Sequence, residues 1–139
     1  MAVAGRWDMD GAAKLSADLA NAAAQVPALM AVAVEKSAVD LVGLAQQNAS
    51  GRPGPNAPTG DLRGSISVED VETSVTEVSR SAGTDRAQAR RLEFGFVGAD
   101  SLGRVFDSPP YPFMGPATDV VEPLFYAAME AVARKATSW

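Results

Sequence analysis

Residues 50–60 read SGRPGPNAPTG, and this stretch divides the chain into two parts whose patterns differ. Three prolines and three glycines exclude the interior of a helix or a strand here, because proline lacks an N–H donor and glycine loses the most backbone entropy on ordering. We therefore predict a long loop over residues 50–60 that either extends from the body of the protein or is held by a partner.

Before this loop, apolar residues recur at helical spacing. Four of them, separated by four, three and four residues, would share one face of a first helix: Leu15, Leu19, Ala22 and Val26. Proline is tolerated in the first turn of a helix but not in its interior. We therefore predict a break at Pro27 and a second, long helix from there to about Asn48.

After the loop, the helical spacing gives way to alternation. Apolar residues or glycine fall on every second position at Leu62, Gly64, Ile66 and Val68, which predicts a half-buried strand. A weaker alternation between Val71 and Val78 predicts a second strand. Thr84 or Asp85 would then cap a short helix that ends at Gly95.

The last part of the chain is predicted to contain a second long loop and a final helix. Residues 96–112 hold two glycines and three prolines, so we expect no regular structure there. The final helix should follow Pro116 and take Pro123 into its first turn. Its buried stripe should consist of Val121, Phe125, Ala128 and Val132.

Together these segments predict one α+β domain over residues 1–139. We expect a small antiparallel β-sheet packed with a long N-terminal helix, a short middle helix and a C-terminal helix. Two long loops rich in proline and glycine, over residues 50–60 and 96–112, complete the predicted fold.

Composition excludes several classes of function. The chain has 139 residues and a net charge of −5, which argues against tight binding to the phosphates of DNA. Cysteine and histidine are both absent, so disulfides, thiolate nucleophiles and the commonest general base are missing. No targeting segment is evident, and the longest apolar run, residues 26–34, is far shorter than the ~20 residues of a membrane helix. We expect no contact with a membrane.

The remaining chemical motifs are weak. Five acidic residues lack the spacing of a calcium or magnesium loop, and we interpret them as solvated carboxylates: Asp61, Glu69, Asp70, Glu72 and Glu77. The glycine-rich phosphate-binding patterns and the S-x-x-K motif are absent. We therefore predict that the protein is not an enzyme and has no catalytic residue, no metal and no cofactor.

Arginines and aromatic residues concentrate in the middle of the chain. Seven of the nine arginines lie between Arg52 and Arg104, and nine acidic residues share much of this region, which favours salt bridges between subunits over a DNA-binding patch. The aromatic cluster there is either local core or a partner-binding surface. Its members are Phe94, Phe96, Phe106, Tyr111 and Phe113.

Three segments in fixed order carry a resemblance to a known family. The first contains Pro58, Thr59, Gly60, Leu62, Arg63, Ser65 and Ile66. The second is Glu93, Phe94 and Gly95, and the third contains Pro112, Phe113, Pro116 and Ala117. In this order they resemble the phage head–tail joining, or tail-completion, family typified by the gene-10 product of phage HK97. Its pattern is P-x-T-G-x-L-R-x-S-I, then E-F-G, then P-F-x-x-P-A before a C-terminal helix. The first segment departs from this pattern by one position, because Pro58 directly precedes Thr59.

The resemblance implies a structural protein of a tailed-phage virion, assembled in the host cytoplasm. It implies a homo-oligomeric ring, hexameric in this family, between the head-closure or connector protein and the tail terminator or tail tube protein, with DNA only as passing cargo. Its motif residues would have structural roles, with Phe113 filling a hydrophobic gap. Residues 97–108 form a longer segment than in compact members, and we expect the two loops to reach other subunits.

Two alternative functions are also considered for this sequence. A tail terminator or minor tail protein would occupy another position in the same particle. A metal-dependent hydrolase or nuclease would belong to a different class, and the absence of histidine and cysteine argues against it.

Overall fold

The computed structural model describes residues 9–69, 77–99 and 101–139. The elements along them are α1 (Met9–Asn48), α2 (Asp61–Ser65), β1 (Ser67–Glu69), β2 (Ser81–Gly83), α3 (Ala89–Phe94), β3 (Phe96–Ala99), β4 (Val105–Ser108) and α4 (Met114–Ala136). The predicted α+β class is confirmed, with its long N-terminal helix, short middle helix and C-terminal helix. The strands, however, form two separate two-stranded antiparallel sheets, β1–β2 and β3–β4, where one sheet was expected.

Helices α1 and α4 pack along each other in antiparallel orientation. Ala45 and Ala49 near the end of α1 lie against Ala117 near the start of α4, while Asn21 lies near Ala136 at the other end. The predicted stripe of α4 is confirmed: Val121 is buried, and the three residues that continue the stripe are half-buried, Phe125, Ala128 and Val132. At ~1.5 Å per residue α1 is about 60 Å long and α4 about 34 Å, so α1 extends beyond its partner.

Both long helices contain a proline where a break or a start was predicted. The chain continues as one helix through Pro27, so the predicted second helix is the later part of α1. Pro123 lies in the interior of α4, which begins at Met114, and Pro116 lies in its first turn. An interior proline removes one backbone hydrogen bond at a cost of ~3 kcal/mol, and the packing of α1 on α4 offsets it.

The predicted apolar face of the first helical segment is only partly buried. Ala22 is buried and Val26 is half-buried, but Leu15 and Leu19 are exposed. The reason is geometric, because α4 ends at Ala136 and does not extend over the first turns of α1.

The strand predicted from Leu62 to Val68 is mostly wrong. A five-residue helix, α2, takes up its first part, and only Ser67–Glu69 is extended. Leu62 and Ile66 are four residues apart, so one helical turn buries both of them as well as an alternating strand would. Gly60 starts this turn with φ +73°, a conformation that glycine adopts without steric cost.

The other strand and the short helix lie later than predicted. Strand β1 pairs with β2 so that Ser67 faces Gly83 and Glu69 faces Ser81. Most of the predicted strand from Val71 to Val78 lies outside the described residues. The short helix begins at Ala89, after a turn in which the hydroxyl of Thr84 accepts a hydrogen bond from the Arg86 N–H at 3.2 Å, and it ends at Gly95 as predicted.

The second predicted loop, residues 96–112, is largely a β-hairpin. Strands β3 and β4 pair from Phe96 opposite Ser108 to Ala99 opposite Val105. Periodicity could not indicate these strands, because both faces of the hairpin carry apolar residues and much of it is exposed. Gly103, with φ +79°, lies in the turn that reverses the chain.

Candidate functional site

The three motif segments meet at the end of α1. One cluster of buried side chains joins Leu62 and Ile66 from the first segment with Phe113 and Ala117 from the third. Ala45 of α1 and Ala49, just after its end, complete the cluster. We call this cluster, together with the cap formed by Glu93, the junction. Phe113 is only 1% exposed, so its expected role in filling a hydrophobic gap is confirmed.

Glu93 ties the second motif segment to the third. One oxygen of its carboxylate accepts hydrogen bonds from the N–H groups of Phe113 at 2.8 Å and Met114 at 3.0 Å. The other accepts one from the Gly115 N–H at 2.8 Å. The first N–H groups of a helix have no partner within the helix, and its dipole favours a negative charge there. Glu93 therefore acts as a cap for α4 from more than twenty residues away in sequence.

Two glycines of this region lie in close contact with neighbouring atoms. A Cβ at Gly95, where φ is +77°, would lie 2.8 Å from the Ser108 carbonyl oxygen. A Cβ at Gly115 would lie 3.0 Å from the Glu93 carboxylate. Glycine at these positions therefore lets the hairpin and the start of α4 approach the Glu93 segment closely.

Side-chain amides at the end of α1 complete the junction. The amide of Asn48 donates to the Phe113 carbonyl at 3.1 Å, and that of Gln46 donates to the Ile66 carbonyl at 3.2 Å. Both partners are remote in sequence, and neither amide belongs to a motif that indicates a function. Only their position just before the loop at residues 50–60 could have drawn attention to them.

The middle of the proline- and glycine-rich loop at residues 50–60 folds back onto the protein, while Pro53, Asn56 and Pro58 are exposed. The contact of this loop with another subunit stays a prediction. Gly54 and Pro55 are buried, and a Cβ at Gly54 would lie 1.8 Å from the Asn48 carbonyl oxygen. The Arg52 guanidinium lies over the ring of Tyr111, 3.6 Å from its centre.

The remaining motif residues surround the junction. The Thr59 hydroxyl accepts from the Asp61 N–H at 3.3 Å, the Arg63 guanidinium donates to the Ser50 hydroxyl at 3.3 Å, and the Ser65 and Thr84 hydroxyls are 2.5 Å apart. Pro112 is half-buried, and Pro58 and Pro116 are exposed. Phe94 is 76% exposed, so the motif residues include both core and surface positions.

The β3–β4 hairpin is the most exposed structured part of this region. Val97 and Val105 lie on one of its faces and are 78% and 81% exposed, and Leu102 is exposed in its turn. The other face carries Phe96, with the Arg91 guanidinium 3.9 Å from the ring centre, and Phe106. The aromatic cluster is therefore divided: Phe113 belongs to the core, while Phe94 and Phe106 are surface residues.

Two of the arginines predicted to bridge subunits form ion pairs within the chain. Arg80 forms an ion pair with Glu35, and Arg86 pairs with Asp61 at 3.2 Å. Since these pairs are exposed or half-buried, each contributes only ~0–1 kcal/mol. They position β2 and the turn before α3 against α1 and α2.

One groove lies between the two long helices. This groove of about 340 Å³ between α1 and α4 is lined mainly by apolar side chains, among them Val34, Leu41, Val121 and Phe125. No group of three or more acidic residues among the described positions could hold a metal ion. Of the helices that the structure describes, none combines the length and the apolar character needed to cross a membrane.

Comparisons of the chain with protein-family models, with curated proteins and with solved structures found no match.

Proposed function

We propose that this protein is a structural subunit of the neck of a tailed-phage virion. In this proposal it forms a hexameric ring, joins the head-closure or connector complex to the tail, and lets DNA pass. The observation that carries the proposal is the junction, because the three segments of the family resemblance fold there into one connected unit. Glu93 of the second segment caps the helix that the third begins, and Leu62 of the first packs in the same cluster as Phe113.

The β3–β4 hairpin is the surface that would contact a neighbouring subunit. An isolated two-stranded hairpin is marginally stable in water, and exposed valines on a flat face favour burial against another protein. Gly95 and a 2.6 Å hydrogen bond from the Tyr111 N–H to the Leu92 carbonyl anchor its base. Contacts between unlike surfaces of adjacent subunits produce rings when they close.

The charge of the chain fits a ring that surrounds DNA without gripping it. The net charge of −5 has the same sign as the phosphate backbone, and like charge disfavours adhesion. A lumen of this kind would let DNA slide through during packaging and ejection.

Electron microscopy and native mass measurement at high protein concentration test the ring. We expect six-membered rings, or binding to head-closure and tail components encoded beside this chain. A strictly monomeric protein with no affinity for either neighbour contradicts the proposal.

A substitution pair tests the role of the hairpin. Val105→Asp should abolish ring formation, because it places a charge on the proposed contact face. Val39→Asp, at a 52% exposed position on α1, is the matched control and should leave rings intact. Normal rings from the Val105 variant would exclude this face as the contact.

The proteins that this subunit binds test its proposed position in the phage particle. Binding to both the head-closure protein and the tail supports a tail-completion subunit. Binding to the tail tube alone would instead place the protein among tail terminators or minor tail proteins.

A further inference from the structure

Helix α4 carries a second apolar stripe, about a quarter turn around the helix from the one that packs on α1, and the described part of the chain leaves it exposed. Its four members are separated by four, three and four residues, and all are exposed: Val120, Leu124, Ala127 and Ala131. Leu124 alone leaves 59% of its surface in solvent. This stripe is distinct from the one that packs on α1, which includes Val121 and Phe125. We call it the α4 outer stripe.

The spacing of the stripe fits a helix as its partner. Alternating steps of four and three residues keep apolar side chains along one seam, as in paired helices. The seam contains two large residues in its first half and two alanines in its second half. A helix that covers it should therefore offer small residues at one end and large ones at the other.

The charges of α4 are also divided between its halves. Asp119 lies in the N-terminal half, which has no basic residue, whereas Arg134 and Lys135 lie in the last turn. Glu122, also in the N-terminal half, lines the groove toward α1 and takes no part in this contact. Glu130 is the one acidic residue of the second half, and it pairs with Arg134. A parallel partner with the same charges would oppose like to like, whereas an antiparallel one would oppose acidic to basic.

We propose that a second copy of this chain covers the α4 outer stripe through its own α4 in antiparallel orientation. In this register Val120 faces Ala131 of the second copy and Leu124 faces its Ala127, so each large residue meets a small one. The two-fold axis passes between Phe125 and Tyr126. Asp119 then lies within about one turn of Arg134 and Lys135 of the second copy.

This pairing goes beyond the proposed ring and does not depend on it. A two-fold contact uses the same patch on both copies and closes after two, so it cannot itself build a ring. In protein that is not assembled into a ring, this contact would remove the α4 outer stripe from solvent. Its four small to medium side chains per copy fall at the low end of interface sizes, so we expect a dissociation constant of about 10–100 μM.

Cysteine cross-linking tests the register directly, since the natural chain has no cysteine. Mixing Leu124→Cys with Ala127→Cys at about 100 μM under mild oxidation should give disulfide-linked dimers of the two variants. Val39→Cys, an exposed position on α1, is the matched control and should stay monomeric. Cross-linking of the pair no faster than that of the control would overturn the proposal.

A second measurement does not depend on cysteine. Sedimentation equilibrium of the unmodified chain should show a monomer–dimer equilibrium, and Leu124→Glu should reduce the average mass to the monomer's 14.4 kDa while helical content is unchanged. Asp119→Lys should weaken the dimer about fivefold, and adding Arg134→Glu should restore it. A monomeric unmodified chain at millimolar concentration, or no restoration, contradicts the antiparallel pair. If Leu124→Glu is monomeric in this measurement but still forms rings under ring-forming conditions, the two-fold contact and the ring contact use different surfaces.

Discussion

At Gly95 the chain passes from the junction into the β3–β4 hairpin, and the two regions use their apolar side chains in opposite ways. Phe113 and Ile66 are almost completely buried in the junction, while Val97 and Val105 in the hairpin are about four-fifths exposed. Each residue of the junction is explained by a contact within the chain, such as the three N–H groups that Glu93 accepts. The valines of the hairpin have no such explanation in the part of the chain that the structure describes. Side chains that the fold does not require are therefore the ones to test for assembly.

The largest effect should come from the centre of the junction. Phe113→Ala should lower the free energy of unfolding by about 3–5 kcal/mol, because it empties a fully enclosed site. Phe94→Ala, two residues after Leu92 and exposed, is the control and should change it by less than about 0.5 kcal/mol. Urea denaturation of both variants measures the difference. Equal losses of stability in the two variants would contradict the assignment of Phe113 to the core and Phe94 to the surface.

Gly54 offers a sharper test of how the loop at residues 50–60 is held. Gly54→Ala should destabilise the protein by about 1–3 kcal/mol, since its Cβ would overlap the Asn48 carbonyl oxygen. Gly43→Ala is the matched control on an open face of α1 and should stabilise the protein by about 0.5–1 kcal/mol. Thermal unfolding midpoints should move in opposite directions. A harmless Gly54 variant would show that the loop is not packed as described.

Removing the charge of the cap should have a smaller effect. Glu93→Gln should lower the free energy of unfolding by about 1–2 kcal/mol, because a neutral amide is a weaker acceptor for the helix N–H groups. Hydrogen exchange at Met114 and Gly115 should become faster. Glu130→Gln removes an exposed carboxylate paired with Arg134 and should change stability by less than about 0.5 kcal/mol. An equal effect of the two substitutions would show that Glu93 is not a cap.

The sequence predicted those features that depend on neighbours within a few turns. The stripe of α4 was predictable because residues spaced by three and four share a face, and Gly95 was predictable as the end of a helix. Glu93 was not, because a local pair with Arg90 on the same helix was as reasonable as a cap for a helix beginning at Met114. The spacing between two remote partners carries no periodic signal.

Three other differences have separate physical causes. Leu62 and Ile66 satisfy both an alternating and a helical pattern, so burial alone did not distinguish a strand from a turn of helix. The hairpin exposes apolar residues, which removes the alternation that marks a half-buried strand. Pro27 was expected to end a helix because the sequence shows the free-energy cost of an interior proline. The packing of α1 on α4 that offsets this cost depends on residues remote in sequence.

The two interior prolines lie at different levels of the antiparallel helix pair. Pro123 lies between Val121 and Phe125, which line the same groove as Leu41, whereas Pro27 lies toward the end where α1 approaches Lys135. Each turn that lacks a backbone hydrogen bond therefore rests on an unbroken stretch of the other helix. We therefore expect the helix pair to bend less at either proline than one helix alone would, so that a load on the turns near Leu15 reaches the end that holds Phe113.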